Sequence, residues 1–255
     1  MAFYEDRADG RFTSTVHTTG PWDAGFQHGG PPSALLGRAL ERCAPRDDMM
    51  VARVTVELLG AVPVAELAVE ARLVRPGRSV ELLEATLACD GRLIARASAW
   101  RVKRTAGVAV PSRARPAPPL PEVADTGEIP GWVSGYLQAM EWRWAQGHLL
   151  EPGPAVGWAR MREDLVEGEP PSPLQRVLAL ADSGNGASSE LDLRSWHFIN
   201  PELTVHLHRE PVGEWVCLDA STTISAGGVG LATSVLSDLD GPIGVGAQTL
   251  LVQPR

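Results

Sequence analysis

Val-Thr-Val-Glu-Leu-Leu-Gly-Ala-Val-Pro-Val-Ala-Glu-Leu, residues 54–67, returns in altered form at residues 203–215 as Leu-Thr-Val-His-Leu-His-Arg-Glu-Pro-Val-Gly-Glu-Trp. With one residue inserted, Thr55 meets Thr204, Pro63 meets Pro211, and Glu66-Leu67 meets Glu214-Trp215. Further on, Asp90-Gly91-Arg92-Leu93 matches Asp240-Gly241-Pro242-Ile243 at nearly the same offset. Each match is weak alone, but in order and at a near-constant spacing they indicate a duplicated module. Two copies are too few for a solenoid.

Working outward, both copies carry the same order of elements. In the first, an alternating segment at 11–19 and a loop lead to Gly29-Gly30-Pro31-Pro32, which opens a helix over about 31–43 with Ala34, Leu35, Ala39 and Leu40 at helical spacing. Strand patterns follow near 50–60, 64–75, 79–90 and 92–104, with turn signals at Val62-Pro63, Pro76-Gly77 and Asp90-Gly91. In the second copy a strand near 154–162 precedes a helix from about 172 to 183, entered through Pro173. Strands near 201–209, 214–224, 228–238 and 243–253 complete it. One strand, one helix and four antiparallel strands make an α+β unit in which a sheet curls around a single helix, and two such units are expected to associate. The proline- and alanine-rich stretch 105–130 reads as a linker. Residues 132–146, with Val133, Leu137, Met140, Trp142 and Trp144, are expected to form an amphipathic helix beside the second copy. The expected organisation is a module at 1–104, a connection at 105–150 and a module at 151–255.

Composition narrows the function classes. A chain of 255 residues that is 44% hydrophobic can bury a sizeable core. No apolar run approaches the roughly 20 residues that span a bilayer, and the start lacks a signal-peptide pattern, so a cytoplasmic, membrane-free protein is expected. Cys43, Cys89 and Cys217 are scattered, which argues against a disulfide framework or a zinc site. The net charge of −8, with Lys103 the only lysine, makes nucleic acid a poor partner. A few local arginines would still suffice for a phosphate-bearing ligand.

Common catalytic signatures, G-x-S-x-G, the P-loop and H-E-x-x-H, are absent. Gly228-Val229-Gly230 lies in a strand pattern and lacks the third glycine of a dinucleotide fingerprint. His206 and His208 share a strand face but have no third metal ligand at recognisable spacing, so cross-strand hydrogen bonding is expected of them and not a metal site. What remains is polar residues where apolar ones belong: Asp182 after Leu178-Ala179-Leu180-Ala181, Asn200 before the strand at Leu203, and Gln248 inside the apolar last strand. Their counterparts in the first copy include Val51 for Asn200 and Ser98 for Gln248, so one half carries polar groups that the other lacks. A helix cap, a strand-start residue and an exposed strand residue would also account for them.

The segments Trp22-Asp23-x-x-x-x-His28-Gly29-Gly30, Leu180-Ala181-Asp182-x-x-Asn185-Gly186, Leu203-Thr204-Val205-His206-Leu207-His208-Arg209 and Gln248-x-Leu250-Leu251-Val252 resemble the acyl-CoA thioesterase II-like family. The resemblance covers most of the chain outside 105–150. It implies two tandem hot-dog modules, each an antiparallel sheet wrapped around one central helix. It also implies hydrolysis of an acyl thioester, carried by coenzyme A or an acyl-carrier protein, without a cofactor. In that family an Asp near the end of the second helix, a Ser or Thr at the next strand and a Gln on the last strand position the attacking water. Matched by position these are Asp182, Asn200 and Gln248, with Asn200 departing from the hydroxyl pattern. The family's Gly-Gly at the first helix falls on Gly29 and Gly30, whose N–H groups suit an oxyanion, with His28 beside them as a substrate contact or a cap for the helix start. Other readings of such a scaffold are a non-catalytic acyl-thioester binding protein and a hot-dog hydratase or dehydratase, although the histidine that such hydratases place shortly after the Asp is missing. Assembly into a homo-oligomer is compatible with the resemblance.

Overall fold

A computed structural model describes residues 1–21, 23–108, 116–125 and 135–255. Trp22 of the first motif, Val133 of the expected helix and parts of the proline-rich connection lie outside these residues. The first half contains β1 (Ala2–Asp6), β2 (Arg11–Ser14), α1 (Gly30–Arg42), β3 (Met49–Leu58), β4 (Glu66–Arg75), β5 (Val80–Cys89) and β6 (Arg92–Lys103). After it come α2 (Gly135–Ala139), β7 (Met140–Gln146), β8 (Ala155–Met161), β9 (Asp164–Val166), α3 (Pro173–Ala181) and α4 (Gly184–Ala187). The chain closes with β10 (Trp196–Ile199), β11 (Glu202–Leu207), β12 (Val216–Ile224), β13 (Val229–Asp238) and β14 (Gly241–Pro254).

The strands join into one sheet in the order β7-β8-β12-β13-β14-β11-β3-β6-β5-β4-β2-β1-β9, with β10 added against β14. Apart from β9, the order reads the same from either end when each strand is exchanged for its repeat counterpart. The centre of this symmetry is the antiparallel pair β11·β3, where Thr204 faces Thr55, Leu203 faces Val56 and Val205 faces Val54. The two threonine hydroxyls meet at 3.1 Å. Thr55 and Thr204, matched positions of the repeat, therefore sit face to face where its copies join. Only the β1·β9 pair is parallel among the described strands.

The helices α1 and α3 pack on each other, with Leu35, Leu36, Leu40, Leu178 and Leu180 buried in one core shared by both halves. Proline is tolerated in the first turn of each, where the N–H lacks a helical partner in any case. Gly37 is one place where the helices press close, since a Cβ there would come within 2.4 Å of Leu178.

Two sequence expectations change. Helix was expected over 132–146, but α2 stops at Ala139 and Met140–Gln146 is strand β7, paired with β8. Trp142 and Trp144 lie two residues apart on one strand face with their rings stacked 5.2 Å apart, and Trp144 occupies the space above Gly157. On the alternate positions, Glu141 is paired with Arg143 and Arg160. That period is two, not 3.6, and β7 stands beside β8 as β1 stands beside β2 in the first half, with β9 added outside β1. The expected strand at 11–19 ends at Ser14, because Thr15 Oγ1 accepts the N–H of His17 and turns the chain into a short 3-10 segment, Val16–Thr18. The short strands β1, β9 and β10 carry too little periodicity to be read from sequence.

Candidate functional site

Asp182 is the C-cap of α3 and is 3% exposed. A buried carboxyl requires partners, and they come from distant strands. Asn200 Nδ2, just before β11, donates to Asp182 Oδ1 at 2.8 Å. Gln248 Nε2, within β14, donates to Asp182 Oδ1 at 3.3 Å and to its backbone carbonyl at 3.0 Å. Gln248 Oε1 accepts the backbone N–H of Asn185 at 3.1 Å. The three polar exceptions of the second copy thus meet at one carboxyl group. Gln248 is 2% exposed and both its N–H groups are directed at Asp182, so it sits behind the carboxyl instead of beside a cavity.

The other carboxyl oxygen, Oδ2, faces the start of α1. His28 Nδ1 lies 3.3 Å from it, and a Cβ on Gly29 would fall 2.6 Å from it. A Cβ on Gly30 would fall 2.2 Å from the carbonyl oxygen of Ala179. The Gly-Gly pair is therefore required by the close approach of one helix start to the other helix end.

Gly30 N–H donates to His28 Nδ1 at 3.0 Å. Ser33 N–H returns to the Gly29 carbonyl at 3.1 Å. Of the two amides expected to serve an oxyanion, Gly30 is thus engaged within the protein, as is the neighbouring Ser33 amide, while Gly29 N–H has no acceptor among the described residues. Because His28 Nδ1 accepts a hydrogen bond, the neutral ring carries its proton on Nε2. Burial pushes the His28 pKa below its ordinary value, and outweighs the Asp182 charge, which pulls the other way. The short approach of Nδ1 to Oδ2 is accordingly a contact of a neutral ring with a carboxyl, not an ion pair. His28 is both the cap of the helix start and a wall of the cavity beside it.

That cavity has a volume of about 480 Å³. Asp182, Asn200, His28 and Gly29 form its polar end, and Phe26, Leu58, Leu59, Val62, Phe198 and Ile199 supply much of its apolar wall. A concave, mostly apolar space ending on a few convergent polar groups is the usual form of a small-molecule site. The lining comes from both halves of the chain. None of the apolar wall residues carries a chemical signal in the sequence, so only the polar end was readable. Among the described residues no cluster of three or more His, Cys, Asp or Glu side chains could hold a metal ion.

Solved structures share the fold. A hot-dog-fold protein of Alicyclobacillus acidocaldarius matches with a TM-score of 0.75 at 16% identity, covering 98% of this chain and 95% of the other. A candidate thioesterase of Novosphingobium aromaticivorans matches with a TM-score of 0.71 at 22% identity, covering 98% of each chain. The acyl-CoA thioesterase II TesB2 of Mycobacterium marinum matches with a TM-score of 0.66 at 14% identity, covering 99% and 95%. The fold is a hot-dog fold. Residues 18–102 match the family model of the acyl-CoA thioesterase N-terminal domain, and residues 111–252 that of the acyl-CoA thioesterase C-terminal domain. The chain belongs to the acyl-CoA thioesterase family and is a thioester hydrolase. A search of curated protein sequences found no match. Among the described residues no helix is long and apolar enough to cross a membrane.

Proposed function

We propose that the protein hydrolyses acyl-CoA thioesters by direct attack of a water held at Asp182, in a site shared by two tandem hot-dog modules, residues 1–104 and 151–255. The connection at 105–150 contributes the edge strand β7 to the second module. The observation that carries this reading is the buried Asp182 carboxyl, held through Oδ1 by Asn200 and Gln248, with Oδ2 turned to the Gly29 turn at the polar end of an apolar cavity.

The acyl chain lies along the apolar wall and brings the thioester carbonyl to the start of α1. Asp182 accepts a proton from the water as the water oxygen bonds to the carbonyl carbon. Asn200 keeps the carboxyl turned toward that water, and Gln248 holds it from behind. The tetrahedral oxyanion receives N–H donors from Gly29 and from His28 Nε2, both fixed before substrate arrives. The C–S bond then breaks, coenzyme A leaves as the thiolate, and the proton on Asp182 returns to the departing sulfur or to solvent. Amide nitrogens occupy both donor positions around Asp182, so Asn200 takes the place of the family's hydroxyl by supplying an N–H to the carboxylate.

Free-thiol release from a panel of acyl-CoAs, with single-turnover reaction in ¹⁸O-water, tests the scheme. Direct attack places the label in the product acid in the first turnover. Label appearing first in Asp182 would establish an anhydride intermediate and overturn it.

A further inference from the structure

Tyr136, in the connection between the halves, carries no catalytic signal in the sequence, yet it reaches the site on two sides. Its ring lies flat against His28, with centroids 3.8 Å apart and planes 5° from parallel. Its hydroxyl donates to the carbonyl of Ala179 at 2.8 Å and lies 2.8 Å from Ser183 Oγ, which is left to donate to it. Ala179 and Ser183 bracket Asp182 at the end of α3. The phenol is fully buried, and burial pushes its pKa well above the usual range, so it remains an O–H donor.

The stack is built into the backbone. The turn at Val16–Thr19 holds both partners: the Thr18 carbonyl accepts His28 N–H at 2.8 Å, and the Thr19 carbonyl accepts Tyr136 N–H at 3.1 Å. Thr19 Oγ1 also accepts Gly135 N–H at 2.7 Å. Position 135 is held to glycine by sterics, since a Cβ there would fall 1.8 Å from the Val16 carbonyl oxygen. One turn thus sets the imidazole and the phenol in register.

We infer that Tyr136 is a positioning residue for the hydrolysis: its ring fixes the plane of His28, so that Nδ1 keeps the Gly30 amide and Nε2–H is presented to the thioester. An imidazole without a stacking partner rotates about its side-chain bonds and exchanges tautomers, and the donor loses its aim. A misplacement near 1 Å at a reacting group costs on the order of 100-fold in rate. This inference rests on the proposed hydrolysis only for its kinetic part.

The test is ¹⁵N NMR of the His28 ring together with kcat and KM for wild type, Tyr136→Leu and Tyr136→Phe. Wild type is expected to show the Nε2–H tautomer, staying neutral below the ordinary histidine range. Tyr136→Leu is expected to lose the single tautomer and roughly 10- to 100-fold in kcat, with KM little changed. Tyr136→Phe keeps the ring and is expected to restore the tautomer and most of kcat. An Nδ1–H tautomer in wild type overturns the inference and requires neither variant to fold. So does a folded Tyr136→Leu protein with wild-type kcat, or a Tyr136→Phe protein that falls as far as Tyr136→Leu. Absence of turnover in wild type would sink the proposed hydrolysis and leave the tautomer measurement intact.

Discussion

Replacing Gly29 by alanine adds one methyl group at the contact between the helices. The backbone at Gly29 has φ −67° and ψ −17°, which any L-residue adopts, so strain in the main chain is not the obstacle. The obstacle is Asp182: the new Cβ would stand 2.6 Å from Oδ2 and 2.8 Å from Oδ1. Reaching a tight 3.0 Å contact requires about 0.4 Å of displacement, and an ordinary 3.4 Å contact about 0.8 Å. If a 1 Å misplacement costs on the order of 100-fold and the logarithm scales with distance, these shifts cost about sixfold and about fortyfold in kcat. Overpacking is expected to destabilise the protein by about 1–3 kcal/mol. The Asn200 and Gln248 bonds oppose the shift, because moving the carboxyl weakens both. Free-thiol release at saturating acyl-CoA gives kcat, and urea denaturation gives the stability. A Gly29→Ala protein with wild-type kcat and an unchanged denaturation midpoint would refute the proposed contact between the helix start and Asp182.

Gly30→Ala meets the main-chain oxygen of Ala179 at 2.2 Å, where no side chain can turn aside. It should lose more stability than Gly29→Ala in the same denaturation experiment, because α1 and α3 must separate. Asn200→Ala removes the 2.8 Å donor to Asp182 Oδ1; a hydrogen bond to a charged group is worth about 1.5–3 kcal/mol, so kcat should fall roughly 10- to 150-fold. Because burial lowers the pKa of His28 in the folded state, the unfolded chain takes up a proton first as pH falls below about 6.5. Stability from this group is complete above that pH and declines below it, and His28→Gln should flatten the decline in denaturation curves between about pH 6.5 and 5. Asp238 and Glu169, held low by Arg209 and Arg38 against the cost of burial, act in a separate window below the ordinary carboxylate range, where stability is lost as they protonate.

Much of this site was legible because its residues break local rules. Asp182 ends an apolar helix, Gln248 interrupts an apolar strand, and Asn200 stands where the other copy has valine; a polar group out of place asks for a partner, and here the partners are one another. The repeat was legible for a similar reason, since Thr55 and Thr204 are matched positions that the fold sets opposite each other. Strand β7 was not legible, because Leu137, Met140 and Trp144 fit helical spacing as well as the tryptophans fit alternation, and pairing with β8 decides between them. Tyr136 was not legible either: a single tyrosine in a connecting segment looks like packing until the turn at Val16–Thr19 brings it beneath His28. The roles of the two glycines differ for a reason visible only in space, since Gly30 N–H is claimed by His28 and Gly29 N–H is not.

The most direct test of the central claim is free-thiol release from a panel of acyl-CoAs by wild type beside Asp182→Asn, each checked for folding. Asparagine keeps the shape of the side chain and an oxygen for Asn200 and Gln248, but cannot accept the proton of water. Wild type is expected to turn over at least one acyl-CoA, and the variant to lose about 100- to 10,000-fold in kcat while remaining folded. A folded Asp182→Asn protein that hydrolyses the same substrates at the wild-type rate would contradict the account.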